Sequence, residues 1–337
     1  MNAAVFQGTR HIVYMDRETP AVGSKEVKLR VKCCGICGTD QHIYHGFPGS
    51  AEVTAPIVLG HELAGEVVAV GDEVTALQVG DRVSVDPNIY CGNCYFCRNG
   101  KVHLCDNLQA VGVTRDGGMG EYCVVPVTNC YLLPDEMSWI EGAMIEPLGC
   151  VLHGYKKLDI HPTHQVLIIG GGFIGQLFLQ LVKAAGVKGI IVSEPEVFKH
   201  DRLVELGADE AVSPTAAGVM EALHHQFDIV IECVGRADSM ELAVKASRKG
   251  GQVLMFGVAS PDTLIQVSPF EIFTKELKIM GSFINPYTHE ESIALIEKGI
   301  VQIEPLISHR FSLKDIPEIM EEYSKLRVGK GVIVHER

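Results

Sequence analysis

The chain has 337 residues, 47% hydrophobic and 21% charged, as expected of a folded globular protein with more than one core. Its formal net charge is −13, from 29 basic and 42 acidic side chains, and no basic stripe is available to displace counterions from nucleic acid. No apolar run reaches the ~20 residues that span a bilayer, and Met1 to Arg10 lacks the basic-then-apolar layout of a signal peptide, so a cytoplasmic protein without a membrane partner is expected.

Residues 1–147 read as β-rich. Residues 27–31 and 65–70 alternate apolar and polar, and Gly71-Asp72 and Gly80-Asp81 mark turns between strands. This part carries three isolated metal-ligand types: Cys37 within Gly35-Ile36-Cys37-Gly38-Thr39-Asp40, the pair His61-Glu62, and Glu146 before Pro147. Thiolate, imidazole and carboxylate are the donors of a zinc site that keeps one position open for substrate. Taken singly, each has a plainer reading: a small buried thiol, a surface pair, and a helix start with a carboxylate facing the dipole.

Cys91, Cys94, Cys97 and Cys105 follow in the pattern C-x2-C-x2-C-x7-C. Four thiols so close together, with Gly92 and Gly100 between them, suit a closed tetrahedral zinc site with a structural role. An iron–sulfur cluster is the alternative for four thiolates. The other cysteines, Cys33, Cys34, Cys123, Cys130, Cys150 and Cys233, are read as small buried residues.

From residue 148 the pattern becomes alternating strand and helix, which predicts a parallel sheet covered on both faces. Strands are expected at 166–169, 189–193, 228–232, 251–256 and 277–281, and helices at 175–185 and 201–206. Gly170-Gly171-Gly172-Phe173-Ile174-Gly175 fits G-x-G-x-x-G between the first strand and the first helix, the context in which that motif cradles a dinucleotide pyrophosphate. Glu194 ends the second strand, where a carboxylate accepts hydrogen bonds from the adenosine ribose and repels a 2′-phosphate. No Arg follows it, so NAD is expected over NADP. Two helices, at 289–298 and 315–325, and a strand at 331–334 form a tail assigned to the first domain.

Gly60-His61-Glu62-x2-Gly65-x5-Gly71-x2-Val74, together with Cys37-Gly38-Thr39-Asp40, the four-Cys lobe and Glu146-Pro147, resembles the zinc-dependent medium-chain alcohol and polyol dehydrogenases. The likeness runs through the whole chain and is greatest to the sorbitol and threonine dehydrogenase branches. It implies a GroES-like catalytic domain at 1–147 and 285–337 and a Rossmann domain at 148–284, with the active site between them. It also implies two zinc ions per chain. The catalytic ion would be held by Cys37, His61 and either or both of Glu62 and Glu146, with Glu62 also a catalytic candidate. Thr39 and His42 match the family's proton relay, and Lys199 is placed near the cofactor ribose. A homodimer or homotetramer is implied.

The implied reaction is oxidation of a secondary alcohol, a polyol or sugar alcohol, to a ketone by NAD. The chain departs from the animal sorbitol enzymes where Ile284 and Asn285 follow Phe283 in place of an Arg, and at Ile43 in place of a Tyr. Tyr44, Phe47, Phe283 and Ile284 would make a more apolar pocket, so a diol, an amino alcohol such as threonine or a hydroxysteroid stays open as substrate. An inactive relative with a binding role and a zinc-independent quinone reductase are the other classes.

Overall fold

A computed structural model describes residues 1–335. The backbone divides into two compact units: Met1–Gly149 together with the tail from Ile284, and Cys150–Phe283.

The strand Glu26–Ile36 is the spine of the first unit. Val27, Leu29 and Val31 fall on one side of it and are fully buried, as a period-two pleat requires. One edge of the spine pairs antiparallel with Glu62–Val70. The other edge is shared between Tyr122–Pro126 along residues 26–30 and the tail strand Gly331–Val334 along residues 33–36. Two register shifts against Glu62–Val70, between Lys28 and Leu29 and between Val31 and Cys33, bend the spine and strengthen its twist. Leu29, Leu63, Val67, Val83, Val125 and Ile333 close the core. Tyr44, expected near the substrate, is only 5% exposed and packs into this core instead. The short helix Gly38–Tyr44 turns its last two residues inward.

A buried polar cluster anchors the start of the tail to the same unit. Asn88 Nδ2 donates to Asp86 Oδ1 at 2.9 Å and to Asn285 Oδ1 at 2.6 Å. His289, 1% exposed, stacks on Tyr131.

The second unit is a six-stranded parallel sheet in the order Glu210–Val212, Gly189–Ser193, Gln165–Ile169, Phe227–Glu232, Ser247–Met255, Lys278–Gly281. Its central strands are buried along almost their whole length, the mark of a sheet covered on both faces. Successive strands are added outward from Gln165–Ile169 on one side and from Phe227–Glu232 on the other. The chain therefore reverses direction between these two, and crevices at such a switch point bind dinucleotides. The fold class expected from the sequence, a Rossmann sheet with a β-rich companion, is the one observed. Among the described residues no helix is long and apolar enough to cross a membrane. Three of the cysteines read as buried, Cys130, Cys150 and Cys233, are only partly so.

Candidate active site

The geometry of the first unit begins with strand register. Gly35 lies opposite Glu62 in the antiparallel ladder, so the residues just past one strand end and just before the other meet. Cys37 follows the spine, and His61 and Glu62 lead into Glu62–Val70. The ligand atoms of Cys37, His61 and Glu62 all lie within 4.8 Å of one another. His61 and Glu62 are buried, at 7% and 1% exposure. Glu146 is not in this cluster; it sits in the first turn of the helix Ile145–Tyr155 and is 6% exposed. Of the two candidate carboxylates, Glu62 is the one grouped with the thiol and the imidazole within 4.8 Å.

Asp40 belongs to the site, although the sequence reading passed over it. Its Oδ2 accepts the Cys37 backbone N–H at 2.8 Å, and its Oδ1 faces His61 Nδ1 at 3.5 Å. A carboxylate behind one ring nitrogen orients the ring and leaves the other nitrogen for a metal. Burial works against protonation of His61, yet Asp40 and Cys37 hold its pKa well above the usual imidazole value. An anionic, largely buried surrounding of this kind suits a cation. The signal in the sequence was the acid three residues after Cys37. Lys330 was also missed: its Nζ donates to both Glu62 oxygens, at 2.7 and 2.5 Å. Thr39 and His42 lie on the helix Gly38–Tyr44, both partly exposed, and His42 meets Phe47 edge to face.

The second candidate centre is local in sequence. Gly92 and Gly100 adopt positive φ of 72° and 70°, turning the chain tightly on either side of the short helix Tyr95–Arg98. The sulfurs of Cys91, Cys94, Cys97 and Cys105 lie within 4.8 Å of one another. A tetrahedral zinc with bonds of about 2.3 Å sets its sulfurs about 3.8 Å apart, and those of Cys91 and Cys97 are 4.0 Å apart. All four are free thiols. Backbone N–H groups of Asn93 and Cys94 bring Cys91 down to about 6, and those of Cys97 and Asp106 lower Cys94. Desolvation and the neighbouring thiols push Cys97 up to about 12. Four thiols at this spacing, two of them with lowered pKa values, fit a closed zinc site.

In the second unit the glycine loop runs from the strand Gln165–Ile169 into the helix Phe173–Ala184. Gly170 has φ +99°, a conformation reserved for glycine. A side chain at Gly175 would run into the Gly170 carbonyl oxygen, whereas Gly172 faces open space. Gly172 is also the N-cap and offers no side-chain cap, so the helix N-terminus keeps donors for an anion. Phe173 and Ile174 occupy its first turn. Glu194, 4% exposed, lies beside the loop: Oε2 accepts Gly171 N–H at 2.9 Å, and Oε1 accepts Glu196 N–H at 3.0 Å and Lys199 Nζ at 3.3 Å. The carboxylate retains lone-pair capacity for a ribose hydroxyl.

Comparison with known proteins agrees with this chemistry. Residues 23–135 match the alcohol dehydrogenase GroES-like domain, and residues 174–298 match the zinc-binding dehydrogenase family. A Sinorhizobium meliloti protein described as a zinc-binding dehydrogenase, bound to NADP, superimposes with a TM-score of 0.95 at 35% identity, over 99% of both chains. An L-threonine 3-dehydrogenase of Pectobacterium carotovorum is 33% identical over 94% of this chain and 93% of its own. A sorbitol dehydrogenase of Bacillus subtilis is 31% identical over 95% and 93%.

Proposed function

We propose that this chain, which belongs to the zinc-binding medium-chain dehydrogenase family and so is a zinc-dependent, NAD(P)-linked dehydrogenase of alcohols or polyols, oxidises a secondary hydroxyl of a polyol to a ketone with NAD as acceptor. The observation that carries this reading is the cluster of Cys37, His61 and Glu62, the donor types of a catalytic zinc site gathered within 4.8 Å of one another.

When bound, zinc would supply Lewis acidity to a hydroxyl, and a nicotinamide cofactor would supply the hydride acceptor. Cys37, His61 and Glu62 would hold the metal. Asp40 fixes the His61 ring and, through Cys37 N–H, the turn that presents the thiol. Thr39 and His42, one turn of helix away, carry the released proton outward; His42 is partly exposed and can pass it to solvent. In the other unit Gly172 leaves space for the pyrophosphate, and Glu194 accepts the adenosine ribose hydroxyls. The negative charge of Glu194 favours NAD. Lys199, paired with it here, is the cation to which a 2′-phosphate would turn, and the Sinorhizobium relative with NADP makes the comparison of the two cofactors the first control.

The test is reduction of NAD and of NADP by the purified protein across polyols, diols, threonine, simple secondary alcohols and hydroxysteroids, with and without chelator. Chelator-sensitive turnover of polyols with NAD is expected. Turnover confined to threonine or to hydroxysteroids would replace the substrate class while keeping the chemistry. Chelator-insensitive turnover would remove the zinc mechanism.

A further inference from the structure

Three adjacent strands bring together residues 268 positions apart. Gly331 pairs with Ile36, and Gly35 pairs with Glu62, so Lys330, one residue before the tail strand, reaches across the spine to the carboxylate. Both side chains are enclosed, at 6% and 1% exposure. The ammonium donates to Glu62 Oε1 and Oε2 and to the Ile36 carbonyl oxygen at 3.2 Å. Gly35 makes this possible, since a side chain there would overlap the Glu62 carboxylate.

Electrostatics turns this contact into a prediction about the metal. Asp40 and Glu62, 0% and 1% exposed, both lie close to the buried His61, and a buried carboxylate without a counter-charge is strongly unfavourable. We propose that Lys330 is a positioning residue of the metal centre: it holds Glu62 in place before metal enters, then shares the carboxylate with the metal, so that it weakens the hold on zinc. This rests on the zinc-site reading above. A dication can take over the role of the ammonium. Loss of Lys330 therefore harms the metal-free chain far more than the zinc-loaded one, and by the thermodynamic cycle zinc must bind more tightly.

The experiment compares wild type, Lys330→Met, Lys330→Arg and the double variant Glu62→Gln/Lys330→Met. Zinc affinity is read by competition with a chromogenic chelator, and melting temperature is read with and without zinc. For Lys330→Met the expected result is zinc held about tenfold or more tighter and a wider gap between zinc-loaded and chelated melting temperatures. Lys330→Arg keeps the charge and should restore wild-type values. The double variant leaves no unpaired carboxylate, so the widening should vanish. Equal losses with and without zinc, or unchanged or weaker zinc binding, in Lys330→Met would overturn the inference. So would failure to recover Lys330→Met from zinc-supplemented medium when the double variant is recovered. Wild-type protein that binds zinc only at the four-Cys lobe would also overturn it, and would show that the zinc-site reading beneath it had failed.

Discussion

His335 offers a stability prediction far from the metal. It follows the tail strand Gly331–Val334, its backbone N–H donating to the Lys32 carbonyl at 3.1 Å. Free in an unfolded chain, its imidazole titrates near 6.5. In the fold it is lowered to about 4, first by burial and then by Lys32, with Glu121 opposing. The depressed value means that the unfolded chain takes up this proton first. The stability it contributes is complete above pH 6.5, falls as pH drops from 6.5 to 4, and changes no further below 4. At about 1.4 kcal/mol per decade of proton affinity, that window is worth about 3 kcal/mol. His335→Gln stays neutral at every pH and removes this dependence. Urea denaturation of both proteins at pH 7, 6, 5 and 4 measures it, because every other titrating group cancels in the difference. Wild type should lose about 3 kcal/mol more than the variant between pH 7 and pH 4. A difference that stays constant over that range would refute a neutral, half-buried imidazole at this position.

Three other substitutions test the sites separately. Gly175→Ala places a methyl group against the Gly170 carbonyl, an overpacking worth about 1–3 kcal/mol. NAD affinity by titration calorimetry should fall about tenfold while zinc content stays unchanged; unaltered binding would mean the loop does not carry the pyrophosphate. Glu194→Ala removes the acceptor of Gly171 N–H and one charge-assisted bond to ribose. The NAD KM should rise about tenfold and the preference should move toward NADP; unchanged kinetics with both cofactors would dismiss the assignment. Cys97→Ser should cost one zinc per chain by elemental analysis and lower the melting temperature, whereas full zinc content would separate the lobe from metal binding.

What the sequence revealed depended on how local each feature is. The glycine loop and the four-Cys lobe were legible because their chemistry lies within six and fifteen consecutive residues, and a turn or a tetrahedral site imposes its spacing directly on the chain. Cys37 and His61-Glu62 were legible as donor types, but their meeting depends on the register of Gly35 against Glu62, which no spacing reveals. Lys330 was invisible for the same reason: a lysine between two glycines near the end of the chain resembles any solvated turn until the tail strand joins the spine. Asn285 was noticed only as a departure from an Arg, whereas its amide belongs to a buried cluster with Asp86 and Asn88. Tyr44 was misplaced because a seven-residue helix is too short to show which face it buries.

The central claim is that a catalytic metal sits on Cys37, His61 and Glu62, apart from the metal of the four-Cys lobe. The most direct test is zinc content and alcohol-dependent NAD reduction measured on the same preparations of wild type and His61→Ala. The account predicts two zinc ions per chain and turnover in the wild type, and one zinc ion, unchanged circular dichroism and no turnover in the variant. Two zinc ions or surviving turnover in His61→Ala would contradict it.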